Sequence, residues 1–490
     1  MSSREKKESS KGDGFAALEA LELPSMTFGG LLRNFGPGII LMMTGIGTSH
    51  IITAPTAGGR FGYELLWVIP VAYILKYYGY EMAIRFTNAT GKSIMEAYAT
   101  AWMKWPLWYL LATTLIQCCI GQAGRLIAAA AVSYYIFTIY FELPLSMGVY
   151  ALLLALLSVI IILRGGYLAV EATCKWLAVL LIVSQLMIYL VEPAPLAAFR
   201  HFAIPATPEG SWIIIGAFLG LLPTGMDVSL QASEWVRAKK GGVAGIRPLL
   251  ENLHLAPRFD PFAPAKEDLA VNLERLPPHA ADYCRRWMKT SLYDYRAGQI
   301  VSFLSACIFL LIAAIWIFPG AGNGADYPQI FSVGPWMMIV LLLGAFAAAF
   351  STAFNYFDGW PRVVGACCRN LFRKTAELPG IASANLTPAK RRIWYSEYNI
   401  YRLTMLFSLT TSVIIIFGGP KPTALVLTAS LLAVVIAPVI FFLNLYYCFA
   451  IIPKNNREWY PSPFATFFSW GSCLLFIGVS VVLMVTKFLR

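Results

Sequence analysis

A chain of 490 residues that is 58% apolar and 13% charged, with a mean hydropathy of +0.64, excludes a soluble globular enzyme and reads as a polytopic membrane protein. Its net charge of +12 comes from basic residues scattered over several loops with no aromatic-interleaved patch, which excludes a nucleic-acid partner. Nine cysteines without a CxxC indicate neither a zinc site nor a disulfide framework.

The opening MSSREKKESSKGDGF is polar and charged, so residues 1–33 are expected to form a cytoplasmic tail with a disordered start. Residues 36–67, GPGIILMMTGIGTSHIITAPTAGGRFGYELLW, read as a membrane helix that is interrupted and begins again. Gly45 and Gly47, with Thr44, Thr48 and Ser49, weaken the helix between two apolar runs. In lipid each unpaired backbone group costs several kcal/mol, so such a break lines a cavity or meets a ligand.

Eleven spans of roughly twenty residues follow from the apolar runs. They lie near 35–58, 64–88, 105–136, 143–163, 168–191, 211–237, 297–318, 333–357, 400–417, 422–449 and 464–486. With the N-terminus inside, Lys239, Lys240, Arg369, Arg373, Lys374 and residues 390–392 are among the many cytoplasmic cations. The opposite loops hold only Arg60, Arg200 and Lys421, apart from Lys487 and Arg490 at the chain end. This asymmetry assigns the protein to the inner (plasma) membrane with a cytoplasmic N-terminus.

The sixth span, WIIIGAFLGLLPTGMDVSLQASEW, is broken in its turn at Pro223-Thr224-Gly225. Broken first and sixth spans are the signature of transporters built from two inverted five-helix repeats, with substrate near the midplane. The predicted divisions are a tail (1–33), a first repeat of spans 1–5 (34–192), an external loop with span 6 (193–237), a cytoplasmic loop (238–296), the rest of the second repeat with spans 7–10 (297–450), and span 11 (451–490). The loop reads as a linker or a docking element for an unidentified partner, with a short helical turn at 248–255 and an amphipathic helix over 280–293.

GPG at 36–38, AGGRFGYELLW at 57–67, TGKSIMEAY from Thr90, GGYLAVEA at 165–172 and a sixth span containing Pro223 together resemble the Nramp family of proton-coupled divalent-metal transporters. The resemblance implies an all-α, LeuT-type inverted repeat of 5+5 helices plus one, with a divalent metal as substrate and a proton as coupling ion. The family's Asp-Pro-Gly-Asn signature falls on Gly47-Thr48-Ser49-His50, and its Met-Pro-His on Leu222-Pro223-Thr224. Gln122 and Arg125 stand where the family has acidic residues in the third helix.

His50 takes the place of a family ligand, and neutral imidazole binds transition metals. Asp227 lies four residues beyond Pro223, where a half-helix N-terminus favours a carboxylate. These two are the expected metal ligands, with Gly47, Thr48, Ser49, Thr224 and Met226 completing a substrate site. Lys76, Gln122 and Arg125 are the expected coupling or gating residues, with Lys76 pairing to Asp227 or Glu81. If Arg125 neutralises Asp227, a bare cation loses its attraction, and a small organic solute such as an organic acid, amino acid or metal chelate is the alternative. A non-transporting receptor is a third class.

Further along, Ser351, Thr352 and Asn355 of span eight are candidates to face the centre, and Asp358 with Arg362 forms an i, i+4 pair. Thr428 and Ser430 mark the tenth span. Trp102, Trp105, Trp108, Trp212, Trp336 and Trp360 are expected to anchor span ends at the membrane interface. No HExxH, GxSxG or P-loop occurs, so no enzyme, no permanently bound cofactor and no nucleotide energy source is expected. The partners expected are the lipid bilayer and a small ion or solute.

Overall fold

A computed structural model describes residues 13–47, 49–320, 335–378, 393–419 and 422–488. The described residues form helices and no strand. Helix α1, Pro37–Gly45, starts on a proline whose fixed φ suits a first helical position. Its free N–H groups at Gly36, Gly38 and Ile39 donate to the Asp294 carboxylate at 3.0, 2.7 and 3.2 Å, so a residue 255 positions or more away acts as its cap. A Cβ on Gly38 would lie 2.4 Å from the Asp294 backbone, which explains a glycine at that close approach.

After Gly45 the chain resumes as a π-type turn, Ser49–Thr53, leading into α2, Ala54–Phe61, and the two pieces are bent by 42°. Next come α3, Val68–Thr90, and α4, Trp102–Ile139. Helix α5, Met147–Val191, has 45 residues, but Gly166 sits at φ +56° and divides it. At 1.5 Å per residue its length is about twice a ~30 Å hydrocarbon core, so the two halves correspond to the expected spans on either side of that glycine.

A second short pair follows: α6, Trp212–Leu221, and α7, Val228–Lys239. The remaining helices are α8, Val243–Asn252, α9, Pro278–Trp316, α10, Pro335–Leu371, α11, Glu397–Phe417, α12, Pro422–Ile451, and α13, Pro463–Phe488. Among the described residues seven helices are long and apolar enough to cross a membrane, or eight if the bent α1–α2 pair is one span. The protein is an integral membrane protein; α9 packs against α1, α2 and α3, and α10 against α1, α4, α5 and α11.

Two segments differ from the sequence reading. The amphipathic helix expected over 280–293 and the span over 297–318 are one continuous helix, α9, because no glycine or proline separates them strongly enough to end it. The loop before it is not irregular filler. Arg247 is buried and donates to the carbonyls of Thr90, Leu269, Pro257 and Asp268, pinning the loop onto the end of α3. The tail is helical from Asp13, with Leu18 buried and the Leu21 carbonyl 2.8 Å from His279 Nε2.

The end of α7 is fixed by buried charges. Glu96 precedes α4, Glu234 and Arg237 lie on α7, Arg369 on α10 and Glu397 on α11. Arg369 contacts Glu96 at 2.8 Å and pairs closely with Glu397, while Arg237 contacts Glu234 at 2.8 Å and Glu397 at 3.2 Å. Burial pushes the Glu96 carboxyl up, but Arg369, Arg237, the Ser93 hydroxyl and Lys92 outweigh it and leave it at about 2. Its contribution to stability is therefore complete above the ordinary carboxylate range and lost as pH falls toward 2. In detergent, the thermal midpoint should fall as pH drops from about 6 to about 3, and Glu96→Gln should flatten that dependence; equal slopes for both proteins would contradict the ionic account.

Candidate functional site

The two interruptions meet. Thr44, Gly45, Gly47 and Ser49 from the first, Leu221, Thr224 and Gly225 from the second, Arg125 of α4, and Thr352 and Tyr356 of α10 line one cavity with about 270 Å³ of empty space. The backbones approach closely enough to require glycine: a Cβ on Gly45 would lie 2.9 Å from the Pro223 carbonyl, and one on Gly47 would lie 2.6 Å from Thr352 Oγ1.

Carbonyls freed at the breaks are taken up by the chain itself. Ser351 Oγ donates to Met43 at 3.0 Å, Thr352 Oγ1 to Met43 and Ile46 at 3.3 Å, and Asn355 Nδ2 to Ile40 at 3.3 Å. On the second break, Lys76 Nζ donates to Gly220 at 2.6 Å and Thr224 at 3.4 Å, and Tyr80 Oη to Thr224 at 2.6 Å. Lys76 is fully buried and bonded to carbonyls, whereas Glu81 is occupied by Arg85. The pairing of Lys76 with Asp227 or Glu81 expected from the sequence does not form, because the open end of α6 supplies better placed acceptors.

Of the predicted site residues, Gly47, Ser49, Thr224 and Arg125 line the cavity. Thr48 lies outside the described residues, as do the side chains of Thr428 and Ser430. Met226 is buried against α3, where a Cβ on Gly79 would meet its sulfur at 2.8 Å. Gln122 donates to the Ala353 carbonyl at 3.0 Å. His50 is fully buried, with Nε2 3.0 Å from Tyr73 Oη and 3.2 Å from the Ser302 carbonyl, and Nδ1 3.0 Å from Ser49 Oγ. Asp227 Oδ2 accepts from Trp360 Nε1 at 3.0 Å and Gln231 Nε2 at 3.4 Å, while its Oδ1 has no partner. His50 and Asp227 thus belong to separate networks, and no group of three or more His, Cys, Asp or Glu among the described residues is placed to hold a metal.

Trp360 corrects another expectation. It is 1% exposed and holds Asp227, so it packs in the core beside the site and is not an interfacial anchor. It shares a helical stripe with Thr352 and Tyr356 at i, i+4 spacing, a signal present in FSTAFNYFDGW. Arg125 lies over both rings of that stripe, 3.9 Å from the centroid of Tyr356 and 4.9 Å from that of Trp360. Asp358 and Arg362 do pair, at 2.7 Å. The charged residue that lines the cavity is therefore Arg125, while Asp227 bonds Trp360 and Gln231. At ~5 Å and an effective dielectric of ~20, a divalent cation would be repelled by that guanidinium by about 7 kcal/mol.

Fold and cavity together define a helical membrane protein of the transporter class, with a central site between interrupted helices. The sequence matches the family described as Natural resistance-associated macrophage protein-like (Nramp) over residues 38–486, and the chain belongs to that family. An uncharacterized protein of Pasteurella multocida is 20% identical over 386 residues, covering 75% of this chain and 77% of that protein. The divalent metal cation transporter MntH of Brucella suis is 27% identical over 193 residues, covering 38% of this chain and 41% of MntH. For MntH of Bacillus subtilis the identity is 26% over 207 residues, with 41% and 47% covered, so the match spans less than half of each MntH. A manganese transporter of Eremococcus coleocola superposes with a TM-score of 0.67 at 12% identity over 96% of this chain and 90% of that one. MHP1, a nucleobase-cation-symport-1 family transporter, superposes with 0.50 at 9% identity over 93% of each. These likenesses give the fold, that of LeuT-type transporters.

The partners of His50 generate a prediction. His50→Leu leaves the Tyr73 and Ser49 hydroxyls without the ring and should cost about 1–3 kcal/mol, read as a lower thermal midpoint, with His50→Gln recovering part of it. An unchanged midpoint in His50→Leu would remove the structural role.

Proposed function

We propose that this protein is a secondary-active transporter whose cargo occupies the cavity between the two interrupted helices and is exposed in turn to either side of the membrane. One observation carries the reading: Gly45, Gly47 and Ser49 line the same cavity as Leu221, Thr224 and Gly225, distant in sequence. The reading includes eleven spans in two inverted repeats and an added helix, with the N-terminus in the cytoplasm and the chain in the inner membrane. The positive-inside charge pattern supports that orientation.

A divalent transition metal as cargo and a proton as coupling ion are supported by the family and by the MntH relatives. In this reading Asp227 offers its unpartnered Oδ1 to the ion, and His50 would exchange Tyr73 and Ser302 for it. A second reading, a small organic solute, is favoured by Arg125 on the cavity wall. Proteoliposomes containing the full chain separate the two. Manganese(II) uptake accelerated by an imposed proton gradient, and reduced roughly tenfold or more by Asp227→Asn, is the outcome of the metal reading. Gradient-driven uptake of an organic acid without metal flux is the outcome of the second. Gradient-independent permeability to both would overturn secondary transport.

A further inference from the structure

We infer that Arg125 is a carboxylate-binding residue, and that the cargo is a small organic carboxylate, free or as a metal chelate. The inference rests on the reading of the cavity as the transport site. Its first support is the wall itself: Arg125 lines the cavity, and no Asp or Glu does. The second is that Arg125 is not consumed by an ion pair. Among the described residues no carboxylate lies within 4.0 Å of it; its guanidinium donates to the Gly121 carbonyl at 2.8 Å, one turn back on its own helix, and lies within reach of the Tyr356 hydroxyl. A guanidinium has five N–H donors arranged as a fork that matches a carboxylate, so donors remain for a ligand.

Third, the guanidinium is held in place. Tyr356 and Trp360 lie against it, and Trp360 is itself fixed by its bond to Asp227. Asp227 forms no ion pair with Arg125 within 4.0 Å, which leaves the rest of the fork open. A purely structural arginine would be expected to close on the one available carboxylate; here that carboxylate bonds an indole and an amide instead. Fourth, the remainder of the wall is suited to an organic oxygen-rich body. Hydroxyls of Thr44, Ser49, Thr224 and Tyr356 line the space, and the Arg125 guanidinium of α4 supplies the single charge.

The test is titration of the purified full chain in detergent, followed by calorimetry and by tryptophan fluorescence, since Trp360 adjoins Arg125. The probes are citrate, succinate, manganese(II)–citrate, manganese(II) alone and inorganic phosphate. Binding of a carboxylate probe is expected, weakened at least roughly tenfold in Arg125→Gln and less in Arg125→Lys. Thr224→Val, which removes a cavity hydroxyl while keeping the side-chain shape and leaving the guanidinium in place, should weaken the same binding if Arg125→Gln fails to fold. Preference for citrate or for its manganese complex tells the free acid from the chelate. Binding of manganese(II) alone that Arg125→Gln leaves equal or tighter overturns the inference, as does binding of phosphate but no carboxylate, or no binding of any probe to folded protein. The transport reading fails separately: Ser49→Cys in oriented vesicles, compared with wild type, would react with an impermeant thiol reagent from one face only under every condition.

Discussion

In hydrocarbon a peptide group without a hydrogen-bond partner costs several kcal/mol, and this chain frees such groups twice, at Gly45 and at Leu221. Every other feature of the centre answers that cost. Helix α10 sends Ser351 and Thr352 to the carbonyls at the end of α1, and Asn355 to that of Ile40 nearer its start. Helix α3 sends Lys76 and Tyr80 to those at the end of α6. The cavity is the space left when two broken helices are satisfied from the side by polar groups of their neighbours and not by each other.

This arrangement also explains where the charges sit. An ammonium among the carbonyls of a half-helix C-terminus is stabilised by the dipole as well as by direct bonds, so Lys76 needs no carboxylate. Asp227, at the start of α7, lies at the opposite polarity, and its bonds to Trp360 and Gln231 hold it within the protein. The far end of α7 is then clamped by Glu96, Arg369 and Glu397, and the near end of α1 by Asp294. Both half-helices that form the site are thus fastened at the ends away from it.

Much of this was legible in the sequence. The interruptions at 44–50 and 223–225 follow from glycine and proline placed where lipid tolerates neither without a purpose, and the position of the cavity follows from them. The all-helical membrane architecture was readable because apolar runs near twenty residues leave few alternatives. The separation of His50 from Asp227 was not readable. Whether a side chain on a π-type turn faces the cavity or the neighbouring helix depends on a rotation of a fraction of a turn, which residue spacing does not fix. Trp360 was misplaced for a related reason: tryptophan near a span end has two apolar destinations, the interface and the core, and only the partner of its N–H distinguishes them. The packing of residues 238–296 onto α3 was not readable, because Arg247 bonds to backbone carbonyls, and a carbonyl leaves no trace in a sequence.

The family likeness and the site chemistry then have to be weighed against each other. Family membership is carried by the fold-forming motifs, the GPG start of α1, the TGK turn after α3 and the glycines of close approach, all of which answer packing constraints. Cargo selectivity answers to the few groups on the cavity wall, and these can change while the packing motifs stay. At this wall a guanidinium stands where a carboxylate would draw in a metal, and the change reverses the sign of the field that a solute meets on entry. A divalent ion could still pass if anionic ligands accompanied it, because the complex, and not the ion, would then face Arg125. On that argument the same scaffold accommodates both the metal history of its relatives and an anionic cargo, and the residue that decides between them is the arginine and not the histidine.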